Sequence, residues 1–273
     1  DYNLIQDIFP DKKLKHDKYL INCDVAENNI SSSEVVEKLN LINNEFPPKI
    51  NHLQFRDPRG NIEFRKQLVT FFNKHFNLNY ITFESIYVTT STSSAIELCS
   101  FLLSNNSKDG VIIPCPHYSG YERCLNSRGI VNIINVPFNL DESTSLLKIE
   151  LTKLDDAFNQ AKSKGIDCRW ILLNNPHNPT GGVINENNLI DLIKWSQTKS
   201  PPIHIVCDEI YACSIYNEKH TSIINFAKKL DVDAIEIRND IRTNLIKEND
   251  PLQVKEECEK NSDRKSTRLN SSH

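Results

Sequence analysis

Methionine is absent from all 273 residues, position 1 included, so the sequence reads as a piece that begins inside a longer chain. No apolar run approaches the roughly 18 residues of a membrane-spanning helix, and the start lacks a signal-peptide layout. A soluble, cytoplasmic protein with no membrane partner is the expectation. No excess of basic charge is present either: 32 Lys and Arg stand against 36 Asp and Glu, with the basic residues scattered. A nucleic-acid partner needs a clustered basic footprint, so none is expected. The eight cysteines form no Cys-x-x-Cys pair, and several sit inside apolar patterns. That usage predicts reduced, buried thiols rather than a disulfide framework. No His, Asp, Glu and Cys set has metal-ligand spacing, and no internal repeat occurs.

What is present is a core-forming chain, 38% apolar, whose pattern alternates between helix and strand from about residue 60. Asn61–Phe72 places Phe64, Leu68, Phe71 and Phe72 at helical spacing. Short, β-branched, nearly continuous apolar runs predict strands at Ile86–Thr90, Gly110–Ile113, Val131–Val136, Trp170–Leu173 and Ile203–Cys207. Such runs suit strands covered on both faces, and hence a mainly parallel sheet. Helices are predicted between them at Ser93–Leu103, Tyr118–Ser127, Lys153–Lys164 and Glu186–Thr198, so the fold class is α/β. Earlier in the chain, Ser31-Ser32-Ser33-Glu34 offers a capping box for a helix reaching about Asn40. After about Arg242 the sequence turns charged and aperiodic, and residues 263–273 resemble a translated sequencing adapter. A tail of that composition buries too little apolar surface to fold by itself.

Four segments carry chemistry, each where a predicted strand ends, which is where α/β sheets present ligand-binding groups. Asn174-Asn175-Pro176-His177-Asn178-Pro179-Thr180-Gly181-Gly182 leaves its strand through two Asn-Pro steps. One such step is an ordinary turn, but the doubled form holds an amide at the sheet edge. Asp208-Glu209-Ile210-Tyr211 follows a buried strand, and a buried acid requires a cationic or donating partner. Asp208 could otherwise cap the next helix. Thr89–Ala95 is a hydroxyl-rich strand-to-helix turn that could hold a phosphate or serve as plain caps. Pro114-Cys115-Pro116-His117-Tyr118-Ser119-Gly120-Tyr121 carries aromatics that could stack on a planar ring or simply pack. His117 reads as a polar surface residue rather than a metal ligand.

In this order and spacing the segments resemble the class I/II aminotransferases, the fold-type I pyridoxal phosphate enzymes, with the likeness nearest to 1-aminocyclopropane-1-carboxylate (ACC) synthase-like proteins. The match rests on Ala26-Glu27-Asn28, Asp57-Pro58-Arg59-Gly60 with Glu63-Phe64-Arg65, Pro114-x-Pro116-x-Tyr118, Asn175-Pro176-x-Asn178-Pro179-Thr180-Gly181 and Asp208-Glu209-Ile210-Tyr211. The resemblance implies pyridoxal 5′-phosphate as cofactor, held at its phosphate by Thr92 and Ser93, with Tyr118 stacked on the ring. Asn178 and Tyr211 would bond the ring O3′, Asp208 would pair with the pyridinium nitrogen, and Glu27 would lie near an α-amino-acid substrate. It also implies a fold-type I large domain with helices on both faces of the sheet, and a homodimer in the full-length protein. On this reading residues 1–45 belong to a small domain, 46–241 to a truncated cofactor-binding large domain, and 242–273 to a non-homologous tail.

Two departures from the family pattern qualify the transfer. Pro58 stands where many members have a tyrosine that reaches the neighbouring subunit's cofactor. No lysine downstream of Asp208 (Lys219, Lys228, Lys229, Lys247, Lys255, Lys260, Lys265) has the Ser-x-x-Lys setting of the family's cofactor-binding lysine. A catalytic residue is therefore not assigned, and this chain is expected to be inactive although its parent is an aminotransferase-like enzyme. The substrate-carboxylate arginine and two sheet strands are missing too, so the phosphate turn and Asp208 are not expected to be joined by a continuous sheet. ACC synthase or a carbon–sulfur lyase acting on S-adenosylmethionine is the enzymatic alternative. A non-catalytic homologue serving as an interaction protein is the other.

Overall fold

The structure, a computed structural model, describes residues 30–54, 57–104, 106–127, 131–141, 143–215 and 220–230. Glu27, Lys219 and the tail lie outside the described residues. The chain divides into two compact units, Asp1–Phe55 and Arg56–His273. In the first, helix α1 (Ser32–Glu45) buries none of its residues and exposes Val35, Val36, Leu39, Leu41 and Ile42. Its expected capping box does not form. Ser31 sits at φ −98°, ψ 10° instead of in the extended conformation that aims a cap hydroxyl back at the first turn.

The second unit is built on a four-stranded, wholly parallel sheet of β1 (Asp109–Cys115), β2 (Asn132–Pro137), β5 (Asp167–Asn174) and β7 (His204–Asp208), ordered β2-β1-β5-β7. The alternation of side chains along β1 and β5 explains why both runs are apolar throughout. Val111, Ile113, Trp170 and Leu172 face one layer, where they meet Ile96 and Leu103 of α3 (Thr92–Leu103) and Tyr121 and Leu125 of α4 (Gly120–Leu125). Ile112, Ile171 and Leu173 face the other. There they pack with Leu154 and Ala161 of α5 (Leu151–Ser163), Leu189, Leu192 and Ile193 of α6 (Glu186–Gln197), and Phe226 of α7 (Ile223–Lys229). Burial on both faces is the condition under which a parallel sheet dispenses with polar positions.

A second, three-stranded sheet was not legible in the sequence. β3 (Asn139–Asp141) pairs antiparallel with β4 (Leu146–Lys148), which pairs parallel with β6 (Val183–Ile184). Strands of two or three residues leave no periodic trace. Their effect is local: β6 anchors the far end of the Asn-Pro turn, because the Ile184 N–H donates to Asn175 Oδ1 at 2.9 Å.

Helix α2 (Ile62–Phe76) confirms the helical spacing after Asn61, whose side chain caps it by accepting from the Phe64 N–H. Ahead of it lies a loop closed by ions. Asp57 accepts from Arg59 Nη2 at 2.8 Å and from Arg65 Nη2 at 2.6 Å, and Arg59 also pairs with Glu84. Arg65 is fully buried, and its other donors reach the carbonyls of Gly60 and Phe83, each at 3.1 Å. The Arg59 hydrogen bonds, with the nearby Arg65 charge, hold the Asp57 carboxyl well below the usual carboxylate range. Gly60 is required here: its φ is +110°, and a Cβ would lie 2.8 Å from Val88.

Three sequence expectations are corrected. Ile86–Thr90 is not a strand: among the described residues its backbone has no ladder partner, and the Val88 N–H instead donates to the Arg59 carbonyl at 2.9 Å. The helix expected over Tyr118–Ser127 shrinks to Gly120–Leu125. The strand before Asp208 is half-buried rather than buried, because among the described residues β7 pairs only with β5 and so forms the sheet's edge. The six described cysteines are in no disulfide bond, with Cys168 buried but Cys213 exposed.

Truncating Ile112, which has no exposure in the sheet centre, should cost about 2–5 kcal/mol. Chemical denaturation of Ile112→Ala measures this, and an unchanged midpoint would contradict the packing. Burial pushes the Cys168 thiol up to about 11. Iodoacetamide at pH 8 should therefore modify the exposed Cys213 well before Cys168, which should be spared until the protein unfolds, as peptide mass mapping would reveal.

Candidate active site

Parallel strands of this sheet all end on one edge, and there the polar residues emerge. β5 ends at Asn174 and β7 at Asp208, a hydrogen-bonded pair of neighbours in register. The Asn174 side chain ties the two strand ends to the turn: its Nδ2 donates to the Asp208 carbonyl at 3.0 Å, and its Oδ1 accepts the Asn178 N–H at 2.6 Å. The Asn175 N–H also donates to the Asp208 carbonyl. Within the turn, His177 Nδ1 lies 2.9 Å from the Thr180 hydroxyl. Burial lowers the His177 pKa, which favours the neutral ring. This bonding fixes Asn178 at the edge, where its amide donates to the Tyr211 hydroxyl oxygen at 3.1 Å.

Opposite these groups stands the first turn of α3. Ser91 caps the helix by accepting the Ser94 N–H at 3.1 Å, and the hydroxyls of Thr90 and Ser94 pair at 3.0 Å. The cap consumes those hydroxyls, while Thr92 and Ser93 line the open space in front of the helix end. From β1 the chain passes through Pro114–Ser119 into α4. Tyr118 is 43% exposed at the cavity wall, and its ring meets Tyr121 edge-on, with centroids 5.5 Å apart at 90°. Gly120 makes that position possible, because a Cβ there would come within 2.3 Å of the Tyr118 ring.

Together these elements enclose a cavity of about 210 Å³ lined by Thr92, Ser93, Tyr118, Asn178, Asp208 and Tyr211. The structure thus brings every described cofactor-site candidate to one place; Glu27 falls outside the described residues. Tyr121 and Asn174 line the same cavity; both fall within the motif segments of the sequence, where neither was assigned a site role. Tyr121 is 1% exposed, and its hydroxyl donates to Asp208 Oδ2 at 2.7 Å. Its sequence signals were its place among the aromatics of the Pro114–Tyr121 segment and its position three residues after Tyr118. Asp208 Oδ1 accepts the Ile210 N–H at 3.1 Å, so both carboxylate oxygens have donors. The phosphate turn and Asp208 share a cavity without sharing a sheet: α3 and α4 pack together, and Tyr121 bridges from α4 to β7.

The described lining contains no lysine. Lys228 lies with its Nζ 4.2 Å from the Tyr80 ring centroid, in a separate groove. Among the described residues no group of His, Cys, Asp and Glu could hold a metal ion, and no helix is long and apolar enough to cross a membrane.

Residues 23–236 match the family described as aminotransferase class I and II. An ACC synthase of Glycine max is 30% identical over 224 residues, 78% of this chain and 44% of that protein. ACC synthase 6 of Oryza sativa subsp. japonica is 31% identical over 185 residues, 67% of this chain and 33% of that protein. The chain therefore spans a third to under half the length of these relatives. Among solved structures, the aspartate aminotransferase of Thermotoga maritima superposes with a TM-score of 0.65 at 20% identity, over 83% of this chain and 56% of that one. Cystalysin of Treponema denticola, whose structure contains pyridoxal 5′-phosphate, gives 0.60 at 19% identity over 84% and 53%. These two likenesses speak to the fold.

Burial, then the Asp208 charge and its hydrogen bond, push the Tyr121 hydroxyl well above the usual tyrosine range. A pKa raised in the folded state favours folding at pH values below the unfolded value, about 10, and that contribution fades as pH climbs past it. In an ultraviolet titration of the folded protein, wild type and Tyr121→Phe should yield the same number of phenolates through about pH 11. One phenolate fewer in the variant would show that Tyr121 titrates normally.

Proposed function

Since the chain belongs to the class I and II aminotransferases, we propose that it forms the cofactor-binding half of a pyridoxal-phosphate enzyme whose parent protein acts on an α-amino acid. The observation that carries this reading is the convergence of Thr92, Ser93, Tyr118, Asn178, Asp208 and Tyr211, from four separate segments, on one cavity. The donor set fits the group. A helix N-terminus with two hydroxyls suits a phosphate, an accessible aromatic suits a planar ring, an amide and phenol pair suits a phenolic oxygen, and a carboxylate suits a protonated ring nitrogen. At about 210 Å³ the cavity lies below the range of roughly 300 Å³ and more usual for drug-sized ligands, which favours a single ring over a dinucleotide.

When bound, pyridoxal phosphate supplies an electron sink that accepts charge as a bond to the substrate's α carbon breaks. In this reading Thr92 and Ser93 bind the phosphate, Tyr118 limits the ring's freedom on one face, and Asn178 with Tyr211 orients O3′. Asp208 holds a proton on the ring nitrogen by placing a negative charge beside it. Glu27 is assigned to the substrate's side. Homodimerisation, a cytoplasmic location and the division into a small domain over 1–45 and a large one over 46–241 belong to the same proposal. ACC synthesis or carbon–sulfur cleavage on S-adenosylmethionine is the second reading, favoured by the similarity to plant ACC synthases. Because no lysine downstream of Asp208 has the family's Ser-x-x-Lys setting, the 273 residues are taken in this reading as binding the cofactor without covalent attachment and without turnover.

Titration with pyridoxamine 5′-phosphate, followed by absorbance or calorimetry, should show saturable one-site binding. Asp208→Asn should weaken it about tenfold, and Ser93→Ala by a smaller factor. Absence of binding to the folded wild-type chain would overturn the reading. Borohydride reduction in the presence of pyridoxal phosphate should leave no stoichiometric adduct at any one lysine, and such an adduct would disprove the non-covalent assignment.

A further inference from the structure

We infer that Tyr121 is a positioning residue that holds the Asp208 carboxylate toward the bound ring's nitrogen. The inference rests on the cofactor reading above and extends it to a residue to which the family resemblance gave no role. Tyr121 is buried beneath the cavity, with its hydroxyl 2.7 Å from Asp208 Oδ2. Asp208 ends a strand that is half-buried along its length and that, among the described residues, pairs with β5 alone, so the described sheet restrains this carboxylate less than it would a central residue. The Ile210 N–H, at 3.1 Å from Oδ1, restrains one oxygen from the carboxylate's own loop. Tyr121 restrains the other from α4, across the cavity floor. A carboxylate carrying a hydrogen bond on each oxygen cannot rotate without losing one, and it retains lone pairs for a ring N–H.

The same side chain touches a second wall of the cavity. Its ring supports Tyr118 edge-on, and Tyr118 has its place only because residue 120 is glycine. One residue thereby sets both the charge opposite the ring's nitrogen and the aromatic assigned to the ring's face. Burial keeps the Tyr121 hydroxyl protonated, so it remains a donor.

A positioning role through Asp208 differs from simple packing in depending on the ring nitrogen. The test compares pyridoxamine 5′-phosphate with its analogue in which the ring nitrogen is replaced by C–H, each titrated into the 273-residue wild type and Tyr121→Phe. The variant should bind the nitrogen-bearing ligand about tenfold more weakly and the analogue almost as well as wild type does. Tyr121→His, which keeps a ring donor, should recover part of the loss. Equal losses for both ligands would reduce Tyr121 to cavity packing and overturn the inference, as would no loss for either. Failure of the wild type to bind either ligand would instead remove the cofactor reading itself, before any variant is compared. Thermal melts of both variants by circular dichroism verify that they are folded when titrated.

Discussion

Strand β5 is the constraint on which the rest of this structure depends. It pairs with β1 on one side and β7 on the other, and its alternating side chains feed both core layers. From Trp170 to Leu173 the strand is fully enclosed and wholly apolar, and at its end come Asn174 and the Asn-Pro turn. Asn174 then bonds to the end of β7 and to the backbone of Asn178. The rigidity of the turn is therefore borrowed from the core, transmitted through one amide side chain.

The cavity is assembled by two routes that meet. One runs through the sheet and brings Asn178, Tyr211 and Asp208 together on the β5–β7 side. The other runs through helix packing, in which α3 lies on the same sheet face as α4 and carries Thr92 and Ser93 to the opposite wall. Tyr121 links the routes by bonding α4 to the end of β7. The carboxylate at the half-buried end of β7 is thus steadied by a side chain that the other route brings in. The ion-paired loop around Asp57 plays a comparable part at a distance, holding the extended segment before α3 through Gly60, Val88 and the buried Arg65.

Much of the fold was legible because two-sided burial writes itself into composition: the runs at Gly110–Ile113 and Trp170–Leu173 fall within β1 and β5. Where pairing rather than burial decides, the reading failed. Ile86–Thr90 has strand composition but no ladder partner among the described residues, and β3, β4 and β6 have partners but too few residues to show a period. The capping box at Ser31 failed for a related reason, since a cap needs an extended backbone that residue identity does not guarantee. At the site, the described cofactor candidates all line the cavity, whereas Tyr121 and Asn174 gain their importance only from what stands opposite them.

By itself the sequence determined the α/β class, the strand ends that carry chemistry and the chemical types gathered there, since these follow from local burial and spacing. Tertiary structure alone decided that β7 lies beside β5, that Asp208 receives its second hydrogen bond from a tyrosine 87 residues earlier, and that Gly120 makes room for the Tyr118 ring. These last facts depend on which segments become neighbours, and neighbourhood arises from packing the whole core, which no window of sequence contains.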